Sequence, residues 1–151
     1  MKARLRSDLT EAMKNQDKLR TATLRMLLAA IQTEEVSGKQ ARELTDEDVL
    51  KVLAREAKKR TEAAEIYTQN GRGELAAEEH AEGRIIDDYL PTPLTDAEVA
   101  DVVDTAMAQV AEQIGERPSV KQMGLVMKAA TSIAAGKADG SRLSAAVRDR
   151  L

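Results

Sequence analysis

Catalysis and metal binding ask for a few residue types, and this chain is poor in them. Its single histidine, His80, stands among Glu78, Glu79 and Glu82. A lone imidazole can act as a base or a ligand, but a metal site needs several convergent donors and no second histidine exists. Glu78, Glu79, Glu82, Asp87 and Asp88 offer oxygens of the kind hard cations take. Neighbouring acids on a helix point in different directions, however, so a solvated charged face is the expectation, with no metal and no cofactor. Cysteine is absent, which excludes disulfides, thiolate metal sites and cysteine nucleophiles. With one histidine there is little material for a Ser/His/Asp triad. The phosphate-binding pattern G-x-x-x-x-G-K-S/T, the dinucleotide pattern G-x-G-x-x-G and the nucleophile pattern G-x-S-x-G do not occur. No catalytic residue is legible.

Cations are the remaining candidates. Arg55, Lys58 and Lys59 follow one another at i, i+3, i+4. Lys121, Lys128, Lys137, Arg142, Arg148 and Arg150 are spread over the C-terminal part. Lys121 and Lys128 lie seven apart, so a helix carries them on one face. Such charges bind phosphate backbones without any special motif. Charge is also segregated along the chain. Residues 1–72 carry a net +3, residues 73–116 a net −11 and residues 117–151 a net +5. Basic ends around an acidic middle point to an anionic partner, although solvated helix faces give the same pattern. Tyr67 and Tyr89 are the only aromatics, so bases of a single strand would find nothing to stack on. An RNA partner would be a structured one, read by shape and backbone.

The elements that must position these residues read as helices. Hydrophobic residues make up 42% of the chain and charged residues 32%, and the composition favours Ala, Leu, Glu, Lys, Arg and Gln over strand formers. The periodicity predicts a first helix over 2–16 with Leu5, Leu9, Ala12 and Met13 inward. Asp17 caps a second helix over 18–36, apolar nearly all round through Leu19, Leu24, Met26, Leu27, Leu28 and Ile31, and closed by Gly38. This second helix is expected to be central. Thr45 to Asp48 forms a capping box for a third helix over 46–69, with Val49, Leu50, Leu53, Ala57, Ala64 and Tyr67 inward. The fourth spans 74–89 and is halted by Pro91.

Pro91 and Pro93 make a stiff connector. They divide the chain into a helical subdomain over 1–91 and a three-helix tail over 94–151. In the tail, Thr95 and Glu98 form a capping box for a helix to Ile114. Ser119 and Gln122 form another for a helix to Ala135 with a stripe of Val120, Met123, Met127, Ala130 and Ala134. Ser141 caps a last short helix carrying Leu143, Val147 and Leu151. Gly124 falls mid-helix, where it permits either close packing of helices, the expected reason, or close approach of a ligand backbone. Lys137, Asp139 and Gly140 occupy a turn before a helix start, a place where backbone N–H groups can meet a phosphate or simply turn the chain. The chain reads as all-α. No apolar run is long enough to span a bilayer, and a cytoplasmic location is expected.

Several strings resemble the GatB/YqeY family. They are Ala12-Met13-Lys14, the run from Thr23 to Ile31, the run from Lys59 to Tyr67 with Gly71-Arg72, and Ile85 to Pro91 followed by Leu94 and Glu98. The tail adds Met123 to Lys128 and Gly136 to Gly140. The resemblance runs through the whole chain. It implies a multihelical fold similar to the C-terminal helical and tail domains of the B subunit of the tRNA-dependent amidotransferase, a carbon–nitrogen ligase with glutamine as amido donor. The catalytic domain of that subunit has no counterpart here, so the expected role is an accessory one. The expected ligand is tRNA, met by Lys121, Lys128, Lys137 and Arg142. The rival readings are a module that docks on a translation-related or metabolic enzyme through its helical faces, and an amidotransferase component that acts only with partner subunits. Oligomeric state is not legible.

Overall fold

A computed structural model describes all of residues 1–151. The chain is all-α, in seven helices: α1 (Lys2–Lys14), α2 (Lys18–Glu35), α3 (Asp46–Gln69), α4 (Gly73–Asp87), α5 (Asp96–Ile114), α6 (Met123–Ala134) and α7 (Gly140–Arg148). A short 3₁₀ turn, Val120–Gln122, leads into α6. The helices form two compact units, Met1–Leu90 and Pro91–Leu151, each with its own core.

In the first unit α2 packs against α1, α3 and α4, which makes it the central helix. Leu24, Leu27 and Ile31 are fully enclosed, together with Leu5 of α1, Val49 and Leu53 of α3 and Ile86 of α4. The apolar character of α2 overstates its burial at one end. Leu19 is 41% exposed, because it lies in the first turn, ahead of the contacts made by the rest of the helix. Met13 is likewise 50% exposed rather than inward. Helix α1 stops at Lys14, and Gln16 adopts a left-handed φ of 55° to turn the chain. Asp17 then accepts the Arg20 N–H at 3.1 Å and caps α2. Gly38 does not close α2; that helix ends at Glu35 with Val36 in an ordinary negative-φ conformation.

The Thr45 capping box is formed, with the Asp48 N–H on Thr45 Oγ1 at 3.2 Å. Helices α3 and α4 make a hairpin through Asn70 to Arg72, where Gly71 takes a φ of 71°. Glu56 is buried between them, but not alone. Arg60 Nη1 reaches it at 2.8 Å and Lys59 at 3.0 Å, and Arg60 Nε also meets Glu82 at 3.4 Å. A buried carboxylate is tolerable only when paired in this way. Glu35 plays a similar part at the other end. It accepts from Lys2 Nζ at 2.8 Å and from the Leu44 N–H at 3.1 Å, tying the start of α1 to the approach to α3.

Candidate nucleic-acid interface

The tail is a three-helix unit built on small residues. Val99, Val103, Ala106 and Val110 of α5 meet Val126, Ala130 and Ala134 of α6, and Leu143 and Val147 of α7. Local sequence places each helix. Thr95 and Glu98 complete a capping box, with the Thr95 N–H on Glu98 Oε2 at 2.7 Å and the Glu98 N–H on Thr95 Oγ1 at 3.2 Å. The Thr95 N–H above all, with help from the Lys137 ammonium, holds the Glu98 carboxyl below its usual range. Gly115 takes a φ of 76° and closes α5. Gln122 Oε1 accepts both the N–H and the hydroxyl of Ser119, at 2.9 and 2.8 Å, while the Gln122 N–H turns back to the Ser119 carbonyl at 2.9 Å. That pairing makes a 3₁₀ turn first, and the α-helix begins only at Met123. Ala135 and Gly136 both take positive φ, 50° and 80°, to end α6.

The late start of α6 rotates one residue out of the expected stripe. Val120 is 70% exposed, and the inward face is Val126, Ala130 and Ala134 with Met123, Met127 and Ile133 partly buried beside them. The opposite face of α6 carries Gly124, Leu125, Lys128 and Ser132, all exposed, and Lys121 is exposed in the 3₁₀ turn before it. Leu125 is 47% exposed. Sequence reasoning passed over it, although a helical wheel puts it opposite Val126, Ala130 and Ala134. Gly124 does not serve packing. A Cβ added there would meet nothing within 4 Å.

Three of the four expected RNA-contacting cations, Lys121 in the 3₁₀ turn, Lys128 on α6 and Lys137 past its end, are exposed and enter no ion pair. Lys137 lies close enough to Glu98 to lower its pKa. Arg142 instead spans back to Asp96 at 2.9 Å. Arg150 is similarly drawn to Asp104 of α5, and Arg117 donates to the Arg150 carbonyl at 3.3 Å. Arg142 of α7 and Arg150 just past it thus face carboxylates of α5, while Arg148 is exposed and unpaired; from Arg117 to Ala138 the chain holds no acid at all. An open groove of about 370 Å³ beside Arg117 and Arg150 is floored by Met107, Ala108 and Ala111, and both of its guanidinium groups are already engaged.

The turn before α7 does not offer its N–H groups to a phosphate. Asp139, not Ser141, is the cap, and its Oδ1 takes the Arg142 N–H at 2.8 Å and the Ser141 hydroxyl at 2.7 Å. These bonds, the Arg142 N–H foremost, keep the Asp139 carboxyl below its usual range. A carboxylate of the chain itself occupies the place an anion would take.

In the first unit the basic run on α3 is largely spent internally. Arg55 pairs with Glu34 at 3.0 Å and Lys59 with Glu56, leaving Lys58 exposed. His80 is exposed on α4, and no group of three or more His, Asp or Glu side chains converges on a point where a metal could sit. A second partly buried polar cluster centres on Tyr89. Its hydroxyl donates to Asp8 and accepts from Arg20 Nη2 at 3.3 Å, and the Arg4 guanidinium lies 4.7 Å from the ring centroid. Burial first, and then the Asp8 carboxylate, push the Tyr89 hydroxyl up to about 12.

The fold is all-α in two compact units, and Lys121 and Lys128 of the second unit are exposed and unpaired. The chain matches the pattern of the Yqey-like proteins over residues 2–151 and belongs to that family. It is 33% identical over 124 residues to the Altered inheritance of mitochondria protein 41, mitochondrial, of the yeast Meyerozyma guilliermondii, a match covering 81% of this chain and 64% of that protein. It is also 33% identical over 91 residues to a Schizosaccharomyces pombe protein described as uncharacterized, covering 60% of this chain and 72% of that one. The chain thus spans a little under two thirds of the length of the first relative. No helix is long and apolar enough to cross a membrane.

Proposed function

We propose that the chain is an RNA-facing accessory protein, with tRNA as its ligand and the exposed face of α6 as the contact surface. One observation carries the reading: Lys121 and Lys128 stand exposed and unpaired, in a stretch from Arg117 to Ala138 that holds no carboxylate. Lysines so placed neutralise phosphates and release condensed counterions. Lys137 is exposed and unpaired as well, and Arg142 joins them only by leaving Asp96. Exposed ion pairs are worth little, so a polyanion can outbid them. The likeness to the amidotransferase B subunit suggests that this binding serves tRNA-dependent amidation or a related step, with chemistry supplied by partner subunits. The proposed place of action is the cytoplasm.

The test is tRNA binding by the whole chain at a series of salt concentrations. Four phosphate contacts give a slope of log affinity against log salt of roughly −3 to −4, at ~0.7 to 0.9 per phosphate. Lys121→Ala with Lys128→Ala flattens it by about one to two units and leaves the fold intact, since both side chains point to solvent. Wild-type protein that binds no tRNA at low salt, or a double variant with an unchanged slope, removes the RNA reading.

A second reading has its own observation. Val120 and Leu125 are large apolar side chains left exposed beside the lysines, as on a surface that docks on a protein. Binding through them would bury apolar area and depend little on salt.

A further inference from the structure

Glycine inside a helix is normally explained in one of two ways. The backbone needs a positive φ, or another part of the fold approaches too closely for a side chain. Gly83 of α4 at least has a neighbour: a Cβ there would meet Arg60 Cβ at 3.9 Å, an ordinary contact. Gly124 of α6 meets neither condition. Its φ is not positive, and a Cβ there would meet nothing within 4 Å. It is nonetheless flanked by two exposed lysines, Lys121 in the 3₁₀ turn that leads into α6 and Lys128 one turn further along α6. Leu125 lies beside it, also exposed.

Building on the RNA reading above, we propose that Gly124 is bare because the sugar–phosphate backbone of a base-paired RNA lies directly against α6 there, between the phosphates held by Lys121 and Lys128. The inference names the kind of RNA structure and adds a contact made by shape rather than charge. The surface suits a duplex. Paired RNA presents a wide, shallow groove lined by riboses, and a helix face that is flat at its centre and cationic at both ends can sit against it. Leu125 covers the apolar edge of a ribose. The tail contains no aromatic residue on which unpaired bases could stack. Charge complementarity selects a polyanion, since this face carries lysines and no acid.

The experiment uses the full chain with a fluorescent RNA hairpin whose stem is a regular duplex, and reads anisotropy across salt. Three proteins are compared: wild type, Gly124→Ala and Gly124→Leu. Both substitutions enter open space and favour helix, so thermal melting should hold or rise. The expected result is a loss of about tenfold or more in affinity for Gly124→Leu and a smaller loss for Gly124→Ala. The salt slope should stay unchanged, because no cation has been removed. That signature separates Gly124 from the lysines, whose loss alters the slope. Wild-type binding with Gly124→Leu within twofold of it overturns the inference and leaves the RNA reading standing. Absence of wild-type binding to any RNA overturns both. Binding of single-stranded RNA or of polyglutamate as tight as that of the hairpin also overturns the inference, the latter in favour of an acidic protein partner.

Discussion

Tyr89 shows how much one buried side chain organises in the first unit. Its ring is enclosed, its hydroxyl joins Asp8 to Arg20, and Arg4 stacks over its face. The residue stands just past α4, yet its partners are on α1 and α2, so it fastens the end of the chain's first unit to the beginning. Because the hydroxyl titrates near 12 in the fold against an ordinary 10.0, the folded state holds its proton more tightly than the unfolded one. The stabilising contribution is therefore complete below pH 10 and is lost as pH rises through about 12. Ultraviolet titration of the folded protein should show a tyrosine ionising near pH 12, and Tyr89→Phe should remove that late step. A Tyr89→Phe protein with the same late step would refute the assignment.

At the scale of elements, two capping boxes do equivalent work in the two units. Each supplies acceptors for N–H groups that a helix start leaves without partners. Thr45→Ala and Thr95→Ala should each cost about 1 kcal/mol, measured by denaturant unfolding. Their acidic members also make the helix starts sensitive to acid. Arg42 and Thr45 hold Asp48 below its ordinary 3.8, and Thr95 holds Glu98 below its ordinary 4.5. Glu35 is lowered from the same 4.5 by Lys2 and the Leu44 N–H. Groups with depressed folded values stabilise above their unfolded values and lose that contribution as pH falls through the folded ones. Stability should thus be flat from neutrality down to about pH 5 and fall increasingly below about 4.5. Glu98→Gln and Glu35→Gln together should flatten that acid limb, seen in melting temperature against pH; an unaltered limb would place the acid sensitivity elsewhere.

Over the whole molecule, the two cores share no residue. Leu27 of α2 is fully buried at the centre of the first, and Leu27→Ala should cost about 2–5 kcal/mol through lost burial and the cavity left behind. Hydrogen exchange should report the loss across α1 to α4. Deprotection confined to α5–α7 would contradict the division of the cores. Charge is partitioned as well. Asp96 and Asp104 of α5 are answered by Arg142 and Arg150, while Lys121 and Lys128 stand exposed and unpaired. A net charge of −3 does not by itself indicate such cationic positions.

The all-α class, the helix order, the central place of α2 and two of the capping boxes were all legible in the chain itself. These depend on local propensity and on the period of apolar residues, and both are written within a few turns. Two kinds of feature were decided only by the tertiary structure. The first is which apolar residue is covered: Met13, Leu19 and Val120 obey the periodic pattern but lie at helix ends, where coverage is only partial, and the 3₁₀ turn at Ser119–Gln122 displaced Val120 further. The second is which cation is free. Lys121, Lys128, Lys137 and Arg142 are equivalent as letters, yet Asp96 stands 46 residues from Arg142 in the chain and 2.9 Å away in space. The same holds for Gly124, whose open surroundings follow from the packing of α6 against α5. Charge pairing and exposure are set by which helices meet, and that is a long-range outcome that no local window of sequence contains.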